Sequence, residues 1–232
     1  MSQQASMPAK AATVKARFQQ GDFWVWLYRD AAGDPSSWER YAVRASAGEE
    51  VLIDMQTKFN EADAFHTHHR IRLSLSENLV ATESHRQWAL REFAFCQEGF
   101  WRKAPHRDNV QAFEEKFDIF LMAPNLPPQV SILRQREQDI SALGRTTLIQ
   151  GRRHAYTGSW YVREPQRHVG VAALKHFGPV GGPDTYTFEL VGVGNGVGTD
   201  DAGAMSTEAG GCSSFDRAQE DSVSYRGSCA LR

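Results

Sequence analysis

The chain is poor in cysteine, in long apolar runs and in charge of one sign, and each shortage excludes a class of protein. Only three of its 232 residues are cysteine, an odd number, so the sequence does not predict a disulfide framework. No apolar run approaches the roughly 18 to 20 residues that cross a bilayer, which argues against a membrane-spanning protein. The formal net charge is −2, so no overall electrostatic attraction to nucleic acid or to anionic lipid is expected.

Composition divides the chain into a folded middle and two poorly folding ends. Residues 1–17 are rich in Ala, Gln and Ser, which predicts a flexible tail or, alternatively, a weak organellar presequence. Residues 192–232 are rich in Gly, Ser, Asp and Glu, and they cannot bury enough apolar surface to offset the entropy lost on ordering. We therefore expect one folded domain over residues 18–191, a disordered tail after it, and a soluble, cytoplasmic protein.

Short runs rich in aromatic and β-branched residues alternate with turn residues through this middle part, a spacing typical of a mainly β sandwich or barrel. Because successive strands are closely joined, we expect them to pair antiparallel. One segment differs, since apolar residues at helical spacing after Asp108 predict a helix over residues 109–122. The predicted strands are residues 22–30, 38–45, 50–59, 65–76, 87–95, 129–134, 146–150, 154–163, 168–177 and 185–191.

Alternation within the strands predicts which side chains share a face. In residues 50–59 and 65–76 apolar and charged side chains alternate, so one face of the sheet is expected to be buried. Arg70 and Arg72 fall on the charged face, where we expect them to pair with Glu50 or Asp54 of the preceding strand.

Two short motifs are similar to the opening of lipocalins and other calycins. The stretch from Phe18 to Trp24 reads FQQGDFW, and the stretch from Gly158 to Tyr161 reads GSWY. In that family a glycine precedes an aromatic side chain that closes the floor of the barrel. The resemblance implies a calycin-like antiparallel β-barrel that is closed at one end and holds a small apolar ligand or a chromophore. The number of predicted strands agrees, because about eight strands can close around one small ligand.

The first strand is apolar on both faces, so its aromatic rings either fill a core or line a cavity for a planar ligand. Basic residues interleave with the aromatic ones, so an acidic group on the ligand would find a partner. We therefore expect binding of a small, largely apolar and acidic ligand, such as a fatty acid, a retinoid-like acid or a tetrapyrrole. The predicted ligand-binding residues are Trp24, Trp26, Tyr28, Trp88, Arg40 and Arg44.

The sequence HTHH at residues 66–69 offers an alternative, enzymatic reading. His66 and His68 point the same way on a regular strand, and two imidazoles at that spacing can ligate a divalent metal. Arg70 is predicted on the same face and would repel a cation, so no cofactor is expected and a metal is the alternative. His69 is predicted on the apolar face, either as a structural residue or as the acid or base of a lyase, isomerase or cyclase.

Overall fold

The computed structural model describes residues 19–48, 50–74, 89–103, 132–151, 158–162, 172–178, 186–196 and 212. These residues form strands and no helix, and none of them belongs to a helix long and apolar enough to cross a membrane. The helix predicted over residues 109–122 lies outside the described residues. The strands are β1 (Asp22–Arg29), β2 (Pro35–Ala47), β3 (Glu50–Lys58), β4 (His66–Ser74), β5 (Ala89–Gln97), β6 (Phe100–Lys103), β7 (Ile132–Ile140), β8 (Gly144–Gly151), β9 (Ser159–Val162), β10 (Ala172–Phe177) and β11 (Tyr186–Asn195).

All eleven strands belong to one antiparallel sheet with the order β6-β5-β4-β3-β2-β1-β11-β10-β9-β8-β7. The chain runs outward from β1 to β6, re-enters at the opposite edge with β7, and returns inward to β11, which pairs with β1. The mainly β, antiparallel prediction is confirmed. Each predicted strand overlaps an observed one, and only the short edge strand β6 was not predicted.

The predicted closed barrel is wrong, because β6 and β7 end the described sheet at opposite edges and do not pair with each other. The exposed side chains of β7 include Arg134, Glu137 and Asp139, and such charges oppose the addition of another strand to an edge. The resemblance to calycins does not extend to barrel closure.

The open sheet nevertheless curves around its main core. The turn between β7 and β8 reaches β11, where Ala142 N donates to the carbonyl oxygen of Leu190 at 3.4 Å and Ser141 Oγ donates to Glu189 Oε1 at 2.6 Å. Apolar side chains from β1 to β4 and from β7 to β11 pack into one cluster. We call the side of the sheet that faces this cluster the concave face and the opposite side the outer face.

The alternation predicted for β3 and β4 is confirmed. Ile53 is fully buried on the concave face, whereas Asp54 lies on the outer face. Asp54 Oδ1 accepts a hydrogen bond from Arg70 Nε at 2.9 Å, and Arg72 Nη1 pairs with Glu50 Oε2 at 3.1 Å. Both expected cross-strand ion pairs therefore form.

Both glycine-to-tryptophan motifs begin strands. Gly21 has φ of +87° and Gly158 has φ of +67°, backbone conformations that favour glycine. A Cβ atom at Gly21 would lie 2.2 Å from a backbone carbonyl oxygen, and one at Gly158 would lie 2.4 Å from another. Trp24 and Trp160, which follow them, are buried in the shared core. In both motifs the glycine permits a tight approach of backbone at the start of a strand.

The C-terminal part of the chain contributes more to the described fold than its composition predicts. β11 continues to Asn195, past the predicted domain end at Val191. Cys212 forms a disulfide with Cys96 of β5, so the expectation of no disulfide is wrong. The two cysteines are 116 positions apart, and no local pattern relates residues at that separation.

Candidate functional site

Trp26 lies at the centre of the concave face as a core residue. Its side chain is 0% exposed, and its indole N–H donates to the carbonyl oxygen of Ala172 at 2.7 Å. Its ring stacks on Phe188 with 5.6 Å between centroids, and it meets Tyr41 edge to face at 5.2 Å. Trp26 thus joins β1 to β2, β10 and β11, which is the role of a core residue.

Tyr28 and Trp24 flank this core on the same strand. Trp24 is 5% exposed, whereas Tyr28 is only half-buried and packs against the Phe188 ring at a centroid distance of 4.5 Å. Tyr28 lies near the C-terminal end of β1. Because neighbouring strands alternate in direction, that end of the sheet also holds the N-terminal ends of β4, β7 and β9. We call this end of the concave face the mouth.

The arginines predicted to join these aromatic residues lie on the other side of the sheet. Arg40 is directly opposite the outer-face residue Val25 of β1, and Arg44 pairs with Asp54 at 3.3 Å. Trp88 lies outside the described residues. The structure therefore brings Trp24, Trp26 and Tyr28 together on the concave face but separates them from both predicted arginines.

A different arginine, not predicted from the sequence, lies on the concave face. Arg136 of β7 is directly opposite Leu148 of the core, and its guanidinium carbon lies 4.1 Å from the centroid of the Trp160 ring. Burial lowers the pKa of Arg136 from its usual value. Its buried Nε has no hydrogen-bond partner, and Arg136 forms no ion pair with any residue in the described ranges. This is a partly desolvated cation stacked on an aromatic ring.

A β-bulge in β4 changes the expected orientation of the histidines. Met55 is opposite His69 and Gln56 is opposite Thr67, so His68 is an extra residue between them. In a bulge the alternation of faces is interrupted. His68 accordingly bonds through Nε2 with the hydroxyl of Thr57 at 2.8 Å, on the concave side, instead of sharing the outer face with Arg70.

The bulge places two imidazoles side by side. His68 Nδ1 contacts His69 Nδ1, and the His69 ring stacks on Phe93 at a centroid distance of 5.0 Å. In such a contact one nitrogen donates and the other accepts, so the pair can hold and transfer a proton. His66 lies at the exposed start of the same strand, opposite Thr57.

These histidines do not form a recognisable metal centre with the residues around them. Within the described ranges no group of three or more His, Cys, Asp or Glu side chains is arranged to hold a metal ion. The pair of His68 and His69 supplies two nitrogen ligands at most, whereas protein zinc sites use three or four protein ligands. The alternative of a metal at His66 and His68 remains a prediction that needs a further ligand.

Comparison with known proteins leaves the family open. No known protein family matches the chain, and no curated protein matches its sequence. A hypothetical protein from Chlamydia trachomatis matches in structure with a TM-score of 0.42 and 9% identity, over 81% of this chain and 93% of that one. An exported protein with a YmcC-like fold from Bacteroides fragilis matches with a TM-score of 0.36 and 12% identity, over 76% and 97%. A lipoprotein from Parabacteroides distasonis gives 0.36 and 10%, over 76% and 96%. At these scores the likenesses carry no argument about function.

Proposed function

We propose that the protein binds a small, largely apolar, acidic ligand at the mouth of the concave face. The observation that carries this proposal is Arg136, a cation on that face that has lost part of its hydration and has no carboxylate partner among the described residues. A ligand carboxylate would restore the lost hydrogen bonds and the charge balance together.

The surroundings of Arg136 favour an apolar ligand body. Trp160 lies beneath its guanidinium group, and the half-buried ring of Tyr28 packs against the same concave core. Aromatic walls with a single charged group are typical of sites for apolar acids. The resemblance of the Gly21 and Gly158 motifs to calycin openings supports the same class of ligand, although here the site is on an open curved sheet.

The proposal is tested by titrating the full-length chain with dodecanoate and with the uncharged dodecanol while recording tryptophan fluorescence. We expect saturable quenching by the acid and much weaker binding of the alcohol. Arg136→Gln should weaken binding of the acid by about tenfold to a hundredfold, the usual range for losing a charge-assisted hydrogen bond. It should leave binding of the alcohol nearly unchanged.

Arg145→Gln is the matched control, because Arg145 is an exposed arginine of the neighbouring strand β8 and pairs with Asp139 on the outer face. The control variant should bind the acid like the wild type. Equal loss in both variants would indicate a general charge effect. Unchanged affinity in Arg136→Gln, or no saturable response to a fatty acid, a retinoid-like acid and a tetrapyrrole, would refute the proposal.

A second candidate function is an enzyme that uses the same mouth, and the contact between His68 and His69 favours it. His69 would act as the acid or base, with Phe93 fixing its ring and His68 sharing the proton. Mass spectrometry of a bound ligand after incubation distinguishes the two candidates. A ligand altered by the wild type but not by His69→Gln supports the enzyme, with the exposed His66→Gln as control, and a ligand recovered unchanged supports carriage.

The disulfide bears on where this function takes place. Structural disulfides persist in oxidising compartments and are rare in the cytosol. The bond between Cys96 and Cys212 therefore supports an oxidising compartment more than the cytoplasm that the composition led us to expect. Counting free thiols in protein isolated from its native cells under alkylating conditions separates the two: one free thiol indicates the disulfide form and three indicate a reducing location.

A further inference from the structure

The outer face carries a second half-buried arginine, Arg40 of β2. It is directly opposite Gln56 of β3, and its guanidinium carbon lies 4.7 Å from the ring centroid of Phe23 and 5.8 Å from that of Phe65. Lys58 Nζ lies 5.2 Å from the Phe65 centroid on the same face. Two cations therefore share one aromatic surface on the side of the sheet away from the mouth.

Two buried polar atoms in this region lack hydrogen-bond partners. Arg40 Nε is a donor without an acceptor in the described part of the chain, and Gln56 Oε1 is an acceptor without a donor. Gln56 is 8% exposed, and its Nε2 already donates to Thr67 Oγ1 at 2.9 Å. Exchanging the amide oxygen and nitrogen would leave Nε2 unpaired instead, so an amide flip does not remove the deficit.

The charge of Arg40 is not neutralised by a hydrogen bond to Asp54, the carboxylate that attracts it. Burial lowers the pKa of Arg40, and attraction to Asp54 opposes part of that effect. The two oxygens of Asp54, however, accept from Arg70 Nε at 2.9 Å and Arg44 Nη1 at 3.3 Å. Arg40 is thus attracted electrostatically to Asp54 without a hydrogen bond to it. An additional anion beside Arg40 would therefore be stabilised.

We propose that this outer-face site binds a small hydroxycarboxylate that carries an apolar group. Its carboxylate accepts from Arg40, and its hydroxyl donates to Gln56 Oε1. Directly opposed residues on neighbouring strands have Cβ atoms roughly 5 Å apart, so one small molecule can contact both side chains. Its apolar part lies against Phe23 and Phe65. The site is independent of the mouth, because Arg40 and Arg136 lie on opposite faces.

The experiment uses the full-length chain and two matched probes, mandelate and phenylacetate, which differ only in a hydroxyl group. By isothermal titration calorimetry, mandelate should bind more tightly than phenylacetate. Arg40→Gln should weaken mandelate binding by about tenfold to a hundredfold. Gln56→Leu should reduce mandelate to the affinity of phenylacetate, and the exposed Arg145→Gln should leave both affinities unchanged.

Binding that disappears in Arg136→Gln but persists in Arg40→Gln would overturn this site while supporting the one at the mouth. No heat with either probe would overturn it as well, since the two unpaired atoms would then be bridged by water. If a variant fails to fold, nuclear magnetic resonance of the wild type keeps the test decisive. Mandelate should shift the Nε–H resonance of Arg40, and an unshifted resonance at saturating probe would refute the assignment.

Discussion

Breaking the disulfide between Cys96 and Cys212 should destabilise the protein strongly. The two cysteines are 116 positions apart, so the bond closes a loop that covers half of the chain in the unfolded state. For a loop of that length the chain-entropy relation gives a contribution of about 5 kcal/mol. This is an upper value, because residual structure in the unfolded chain reduces it.

The assay is urea unfolding of Cys96→Ser/Cys212→Ser, followed by tryptophan fluorescence. The free energy of unfolding should fall by up to about 5 kcal/mol. The urea dependence should become steeper, since the opened unfolded chain exposes more surface. Cys229→Ser is the control and should unfold like the wild type. Peptide mapping that links Cys229 to either of the other two cysteines, or a transition unaffected by reduction, would refute the pairing.

Three further substitutions, two of them with a matched control, test the packing of the sheet by thermal and urea unfolding. Trp26→Ala should cost about 3 to 5 kcal/mol, as for large aromatic truncations in cores, and a well-folded variant with unchanged stability would contradict its core role. Gly158→Ala should cost clearly more than Gly33→Ala, because both have positive φ but only Gly158 has backbone within 2.4 Å of the added Cβ. Similar losses of stability in the two variants would show that the backbone around residue 158 shifts to accommodate the added Cβ. Asp54→Asn should cost about 3 to 5 kcal/mol by leaving buried arginines without their carboxylate, whereas Asp139→Asn, in an exposed pair, should cost less than about 1 kcal/mol. A small effect of Asp54→Asn would mean that other groups hold those arginines.

The fold class was predictable because the signals for strands are local. Alternation in β3 and β4 assigned Ile53 to the core and paired Arg70 with Asp54. This assignment needs no tertiary information, because successive side chains of any strand point to opposite faces. The first predicted strand, residues 22–30, likewise corresponds closely to β1. Whether a sheet closes into a barrel depends on whether its two edge strands pair with each other. β7 is a mostly polar edge strand, and its composition does not show that it lies at an edge.

The candidate site was only partly predictable. His69 was placed on the apolar face by alternation, but Arg136 was missed because the predicted strand ended at residue 134, whereas β7 continues to Ile140. The orientation of His68 depends on a one-residue bulge, which no periodic pattern shows. The disulfide joins residues distant in the chain, so only the tertiary structure reveals it.

The pairing of β1 with β11 at the centre of the sheet has a consequence for how the protein folds. Strands β1 to β6 are sequential neighbours, so their contacts are local and can form early, even during synthesis. One edge of β1, including Trp26 opposite Leu190, has no partner strand until β11 has been made. The long loop closed by that pairing makes it the slow step expected on entropic grounds. Until then β1 presents an apolar, unpaired strand edge, the kind of surface that aggregates. Slowing translation between β1 and β11 prolongs the time for which this edge is unpaired, so it should lower the yield of folded protein. An equal delay before β1 is synthesised should have a smaller effect.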